Sequence, residues 1–121
     1  MVKVLLDTNI LIDYLNGLGP AKAVFDRYAD KAISLITWME VMIGATAENR
    51  DTTKLFLATF ELIAIDDAVA TQAVVLRQTH KIKLPDAIIW ATAQTRQRVL
   101  LTRNTKDFAE NEAGVLVPYQ I

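Results

Sequence analysis

The sequence predicts an α/β fold, a three-layer α/β/α sandwich around a five-stranded parallel sheet. Three observations predict it. Short apolar, β-branched runs alternate with stretches of helical periodicity along the chain. The runs are apolar at successive residues, as expected of strands with helices on both faces. The length, 121 residues, bounds one domain spanning 1–121. A chain of that size buries roughly two thirds of its unfolded surface and needs no covalent staples.

The elements follow in order. Val2–Leu6 is the first predicted strand, and Thr8–Asn16 the helix after it, ended by Gly17-Leu-Gly-Pro20. Ala21, Val24, Phe25 and Tyr28 recur at the spacing of an amphipathic helix. Ala32–Ile36 is the second strand, and Trp38, Val41, Met42 and Ala45 repeat the helical spacing, weakened by Gly44. A helix is expected over about Asp51–Phe60, then a third strand over Leu62–Ile65. Asp66 or Asp67 caps a long helix through Ala70, Ala73, Val74 and Arg77. Leu84-Pro85 opens the next, with proline in the first turn, where its missing N–H costs nothing. Val99–Thr102 is the fourth strand, Asn104–Phe108 a short helical turn, and Gly114–Val117 the fifth strand. Strands joined through helices run parallel, and ligands of such sheets sit beyond the carboxyl ends of the strands.

Composition excludes several chemistries. There is no cysteine, hence no disulfide, thiolate site or cysteine nucleophile. A single histidine, His80, excludes a multi-histidine zinc site, so a metal would have to be held by oxygen, which suits magnesium or manganese. Thirteen basic residues nearly balance fourteen acidic ones, so nucleic acid would be bound through local basic groups or with a second subunit. The apolar run of MVKVLLDTN is too short for a signal or a membrane span, and Asp7 interrupts it. A soluble cytoplasmic protein with no membrane partner is expected. Gly17 and Gly19 precede Pro20 in a turn and do not form a phosphate loop.

The acidic residues at strand–helix junctions carry the chemistry. Asp7 follows the first strand, and either Asp7 or Thr8 could simply cap a helix. Thr37-Trp-Met-Glu40 matches a capping box, which would tie Glu40 to the Thr37 amide. Yet Glu40 stands among Trp38, Met39, Val41, Met42 and Ile43, where an unpaired carboxylate is costly. Asp86 could serve the helix dipole, but its helix continues Ala87-Ile-Ile-Trp-Ala91, with little polar face. Asn104 and Asp107, three apart, could share one face or form a cap. Each has a local explanation. Together they place three carboxylates and an Asn/Asp pair on one edge of the sheet, where like charges raise one another's pKa unless a cation is present. Oxygen ligands completed by water suit Mg²⁺.

At these residues the sequence resembles PIN-domain ribonucleases, most closely VapC-type toxins of toxin–antitoxin pairs. The resembling stretches are Leu5–Leu15, Ser34–Gly44, Leu84–Ala93 and Leu101–Phe108, which lie in family order and spacing. The resemblance implies a parallel five-stranded sheet, dependence on Mg²⁺ or Mn²⁺, and endonucleolytic cleavage of RNA. It places the family's acids on Asp7, Glu40 and Asp86 as metal ligands. The fourth position holds Asn104 where many relatives carry aspartate, and either Asn104 or Asp107 would complete the site. Thr8, Asn9 and Thr102 correspond to supporting polar groups, while Arg103, Lys81 and Lys83 could contact substrate phosphates. The family also implies a homodimer and an antitoxin that inserts an apolar stretch and a basic side chain near the acids. Trp38, Met39, Met42 and Trp90 are many large groups for one small core, so some are expected at such an interface. Two rivals remain. A receiver-type phosphoacceptor domain would need an acidic pair after the first strand, where Asp7 stands alone, and a lysine after the last, where Val115–Tyr119 has none. A non-catalytic PIN-like module with a decayed site is kept open by Asn104.

Overall fold

A computed structural model of the chain describes residues 2–108 and 112–121. Its elements run β1 (Lys3–Leu6), α1 (Thr8–Leu15), α2 (Gly19–Arg27), β2 (Asp30–Ser34), α3 (Leu35–Ile43), α4 (Arg50–Leu57), β3 (Glu61–Ile63), α5 (Asp67–His80), α6 (Leu84–Thr95), β4 (Val99–Leu101) and β5 (Val115–Leu116). All strand pairs are parallel, in the order β3-β2-β1-β4-β5. The expected α/β sandwich is therefore present.

Alternation along the strands builds two cores. Leu5, Ala32 and Leu100 face a cluster with Val69, Ala73 and Trp90 of α5 and α6. Val4, Leu6, Ile33 and Leu101 face the opposite cluster, which holds Ile10, Leu11, Val24, Val41 and Leu57 of α1 to α4. A period of two thus sends neighbouring strand residues into different layers, and both faces are apolar because both are covered. Beside the second core Phe25, Tyr14 and Phe56 lie nearly parallel, with the Tyr14 centroid 4.2 Å from Phe25 and 5.2 Å from Phe56, and Phe60 meets Phe25 and Phe56 edge-on. This stack joins α1, α2 and α4.

Several boundaries differ from the sequence expectation. The second strand ends at Ser34, not Ile36, because the Ser34 hydroxyl accepts from the Ile36 amide and starts α3 at Leu35. Gly19-Pro20 opens α2 instead of ending α1; Asn16 and Gly17, the latter at φ +82°, make that turn. Gly44 caps α3, so Ala45 lies beyond it. The stretch after β4 is, as expected, a single helical turn, closed by the Phe108 amide on the Asn104 carbonyl at 3.2 Å. β5 is only two residues long.

The large side chains also sort differently. Trp90 is core, edge-on to Phe108. Trp38 and Met42 lie partly buried against the second core, while Met39 is exposed. Ile43, Ile121 and Leu55 are the most exposed of the large apolar side chains among the described residues. Among the described residues no helix is long and apolar enough to cross a membrane.

Phe108 is fully buried and anchors the turn that carries Asn104 and Asp107. Phe108→Ala is expected to cost about 3–5 kcal/mol of folding free energy. Urea denaturation of the variant beside the parent measures it.

Candidate active site

The strand order locates the site. The chain builds β1, β2 and β3 to one side, then crosses back to lay β4 on the other flank of β1. The carboxyl ends of β1 and β4 therefore border a topological switch point, where such sheets bind ligands. Asp7 and Thr102 stand there, one residue beyond each strand, and the Asp7 amide donates to the Leu101 carbonyl at 2.9 Å.

Asp7 is 3% exposed. One carboxylate oxygen accepts from the Thr8 amide at 2.7 Å, the other from the Thr102 hydroxyl at 2.7 Å and the Asn9 amide nitrogen at 3.2 Å. It is thus both the cap of α1 and the centre of a polar network. Burial pushes its pKa up to about 6; the Thr102 and Thr8 hydrogen bonds oppose the rise, and the Glu40 charge adds to it. That rise corresponds to about 3 kcal/mol favouring the neutral acid.

Glu40 does not close a capping box. Ser34 caps α3, which puts the fully buried Thr37 inside its first turn. Glu40 instead accepts a 2.7 Å hydrogen bond from the Thr8 hydroxyl, whose oxygen lies 3.0 Å from that of Thr37. The residue after Asp7 thereby orients the second acid. Asp86, in the first turn of α6, has its pKa raised to about 7, by burial first and then by the charge of Asp7, a hydrogen bond with Asp107 and the charges of Asp107 and Glu40. Asp107 is held below the usual range by the Asn104 amide and by that bond to Asp86.

Asn104 is fully engaged. Its carbonyl oxygen accepts from the Lys106 and Asp107 amides at 3.2 and 3.3 Å, and its amide nitrogen donates to Asp107 at 2.9 Å. Its own main-chain amide donates to the Thr102 hydroxyl at 3.0 Å. Arg103 turns to Asp13: its Nε and Nη2 donate to the two carboxylate oxygens at 2.6 and 3.0 Å, and Tyr119 adds a 2.7 Å bond. Lys83 precedes α6 and its charge is felt by Asp107. Lys81 ends α5 in the left-handed region at φ +56° and is exposed. Asp13 and Tyr119 were not singled out from sequence, and Thr37 was read only as a helix cap; Asp13, an acid inside an apolar helix, left a local trace.

Asp86 feels the charges of Asp7, Asp107 and Glu40, and Asp7 feels that of Glu40, yet little cationic charge meets them. The buried Arg98 lies at the opposite edge of the sheet, donating to the Val4 carbonyl, Asp30 and Glu61. An all-oxygen set with unrelieved repulsion fits a hard divalent cation. Among the described residues no three acids are already drawn together as a metal cage. The gathering is looser than sequence reasoning expected, and it suits an ion that keeps much of its water, as Mg²⁺ does.

A family described as PIN domain matches residues 4–113. The chain belongs to the PIN-domain family. Ribonuclease VapC1 of Methanocaldococcus jannaschii is 30% identical over 112 residues, spanning 88% of this chain and 79% of that protein. A toxin–antitoxin complex from Klebsiella pneumoniae contains a chain 50% identical to this one, with a TM-score of 0.93 and coverage of 98% and 100% of the two chains. DNA-bound VapBC from Salmonella typhimurium, 24% identical with 96% of each chain covered and a TM-score of 0.79, shares the PIN fold. The VapC-type resemblance read from the sequence therefore holds. The receiver alternative fails, since receiver domains order their strands 2-1-3-4-5 and this PIN sheet is ordered 3-2-1-4-5.

The raised acids fix a pH dependence. A carboxyl whose pKa is higher in the folded chain holds a proton that the unfolded chain releases, so its stabilising effect is lost as pH rises through the folded value. Asp7 and Asp86 place that loss between pH 4 and about 7, whereas the depressed Asp13 and Asp107 act only below the ordinary carboxylate range. Without divalent cations the melting temperature is expected to fall between pH 5 and pH 8. Added Mn²⁺ should raise it more at pH 8 than at pH 5. Equal Mn²⁺ shifts at both values would contradict the assignment.

Proposed function

We propose that this chain is a divalent-metal-dependent endoribonuclease, hydrolysing RNA phosphodiester bonds, and the toxin of a type II toxin–antitoxin pair. The observation that carries this reading is the buried Asp7 at the switch point, with Glu40, Asp86 and Asp107 acting on the same crevice. The similarity to Ribonuclease VapC1 supplies the reaction class.

Asp7, Glu40, Asp86 and Asp107 would hold Mg²⁺ or Mn²⁺, which when bound supplies Lewis acidity towards water and a counter-charge for the phosphodiester. The chain's own groups prepare that site. Thr102 and Asn9 fix the Asp7 carboxylate, and Thr8 aims Glu40. Asp86, its pKa raised by burial and by the neighbouring acids, would be held in its charged form by a bound cation. Asn104 acts by orienting Asp107, because its amide oxygen is already taken by main-chain amides. Asp107 is thus the fourth acid, which weighs against a decayed site. Lys83 and Lys81, exposed before and at the turn into α6, are placed to meet substrate phosphates.

The partner reading has a physical location. A groove of about 560 Å³ between α1, α3 and α4 is walled by Ile12, Leu15, Val41 and Phe56 and reaches Glu40. An apolar segment with one basic side chain would fill it and cover the acid. The solved relative from Klebsiella pneumoniae, a toxin–antitoxin complex, supports an antitoxin in that role. A homodimer would cover apolar groups elsewhere, such as Val74 and Val75 on α5.

Cleavage of labelled RNA in Mn²⁺ tests the nuclease. Asp7→Asn and Glu40→Gln should each lower the rate by about a hundredfold or more while circular dichroism shows them folded. Undiminished cleavage by folded Asp7→Asn would remove Asp7 from the mechanism. Asp107→Asn should cost more than Asn104→Asp; the reverse order would return the fourth ligand to Asn104. Expression of the chain should arrest growth, and a co-expressed antitoxin should relieve the arrest. Leu15→Lys should keep the arrest and lose the relief.

A further inference from the structure

The nuclease reading leaves one buried ionic cluster without a role. Asp13 lies on α1, 6% exposed, six residues after Asp7. Both its oxygens accept from the guanidinium of Arg103, and one also accepts from the Tyr119 hydroxyl. A forked guanidinium–carboxylate pair fixes direction as well as distance. The cluster thus joins three segments distant in sequence: the helix that follows Asp7, the residue that follows Thr102, and the stretch beyond β5.

Arg103 is placed to transmit that restraint. Its main-chain amide donates to Asn9 at 3.4 Å, and the Asn9 amide nitrogen reaches Asp7 and the Thr102 hydroxyl. On one side of it Thr102 donates to Asp7; on the other Asn104 donates to Asp107. Holding the Arg103 side chain therefore fixes the strand end and turn that set two of the acids relative to each other. A guanidinium spent on Asp13 is also withheld from the crevice, where it would compete with a metal for the same carboxylates.

We propose that Asp13, Arg103 and Tyr119 form a positioning clamp, through which the stretch after β5 sets the Thr102–Asp107 segment against Asp7 and so tunes the metal site. The proposal rests on the nuclease reading. Arg103 is a positioning residue in it, not a phosphate contact. The Tyr119 hydroxyl stays protonated, since burial and the Asp13 charge raise its pKa well above the ordinary value, so it remains a donor throughout the working pH range.

Tyr119→Phe, Arg103→Lys and Arg103→Ala in the full chain test the clamp by four measurements: melting temperature, Mn²⁺ binding followed by the resonance of free Mn²⁺, steady-state RNA cleavage, and amide hydrogen exchange. Tyr119→Phe should shift the melting temperature by less than about 5 °C. It should speed exchange in Arg103–Asp107 by about tenfold. Mn²⁺ affinity and kcat should each fall by about tenfold, with KM within about twofold. Arg103→Lys should resemble Arg103→Ala, because an ammonium cannot make the fork. If Arg103→Lys behaves as the parent while Arg103→Ala raises KM alone, Arg103 contacts phosphate and the clamp is overturned. Variants that melt lower but keep parental Mn²⁺ affinity and parental exchange in Arg103–Asp107 reduce the cluster to a staple and overturn it too. A parent chain that takes up no Mn²⁺ and cuts no RNA overturns the nuclease reading, and the clamp with it. A parent that does both, beside variants that match it, overturns the clamp alone.

Discussion

Repulsion among carboxylates at the end of β1 is the interaction on which the rest of this structure turns. Asp7 is taken out of water within reach of the Glu40 charge, and Asp86 feels the charges of Asp7, Asp107 and Glu40. The fold answers mainly with dipoles: a main-chain amide, two threonine hydroxyls and an asparagine amide, while the charges of Arg103 on Asp7 and of Lys83 and Lys106 on Asp107 contribute less. The strong cations are directed elsewhere. Arg98 closes the far edge of the sheet, and Arg103 is spent on Asp13. At Asp7 the hydrogen bonds from Thr102 and Thr8 lower the pKa less than burial raises it, and at Asp86 burial and the neighbouring acids all raise it, so both stay high. In the proposed nuclease, a cation from solution would relieve that repulsion.

The sheet order explains how acids from separate helices reach one place. Each sits at or just after an element that begins at the carboxyl edge: Asp7 at the head of α1, Glu40 in α3, Asp86 in the first turn of α6, Asp107 in the turn after β4. Because β4 lies against β1 and not beside β3, the turn that carries Asp107 starts beside Asp7, where Thr102 meets its carboxylate. The two cores hold this edge from both faces. Phe108 plugs the turn into the α5–α6 side, so the position of Asp107 is set by apolar packing as well as by its polar bonds.

Much of this was legible in the chain because it is local. Apolar runs, periodic helices and the acids at their junctions lie within short windows, and they gave the element order, the layers and the positions of Asp7, Glu40 and Asp86. Errors arose where local signals compete. Leu35 and Ile36 continue an apolar run, so they read as strand, although Ser34 had already capped the helix. Thr37 and Glu40 have capping-box spacing, yet the spacing cannot show that Thr8, 32 residues from Glu40, claims the glutamate. The Asp13–Arg103–Tyr119 cluster was invisible for the same reason: its members lie 90 and 106 positions from Asp13 and share no motif. Asn104 read as a possible ligand from its residue type; only the geometry shows both ends of its amide already engaged.

The aromatic stack beside the second core has a consequence for whatever enters the groove next to it. Phe56 is one wall of that groove, and Tyr14 and Phe25 hold its ring face to face while Phe60 meets its edge. A side chain so confined has little rotamer freedom left to surrender on contact. The groove therefore keeps its shape before it is filled, and most of the ordering cost of association falls on the incoming segment rather than on this chain.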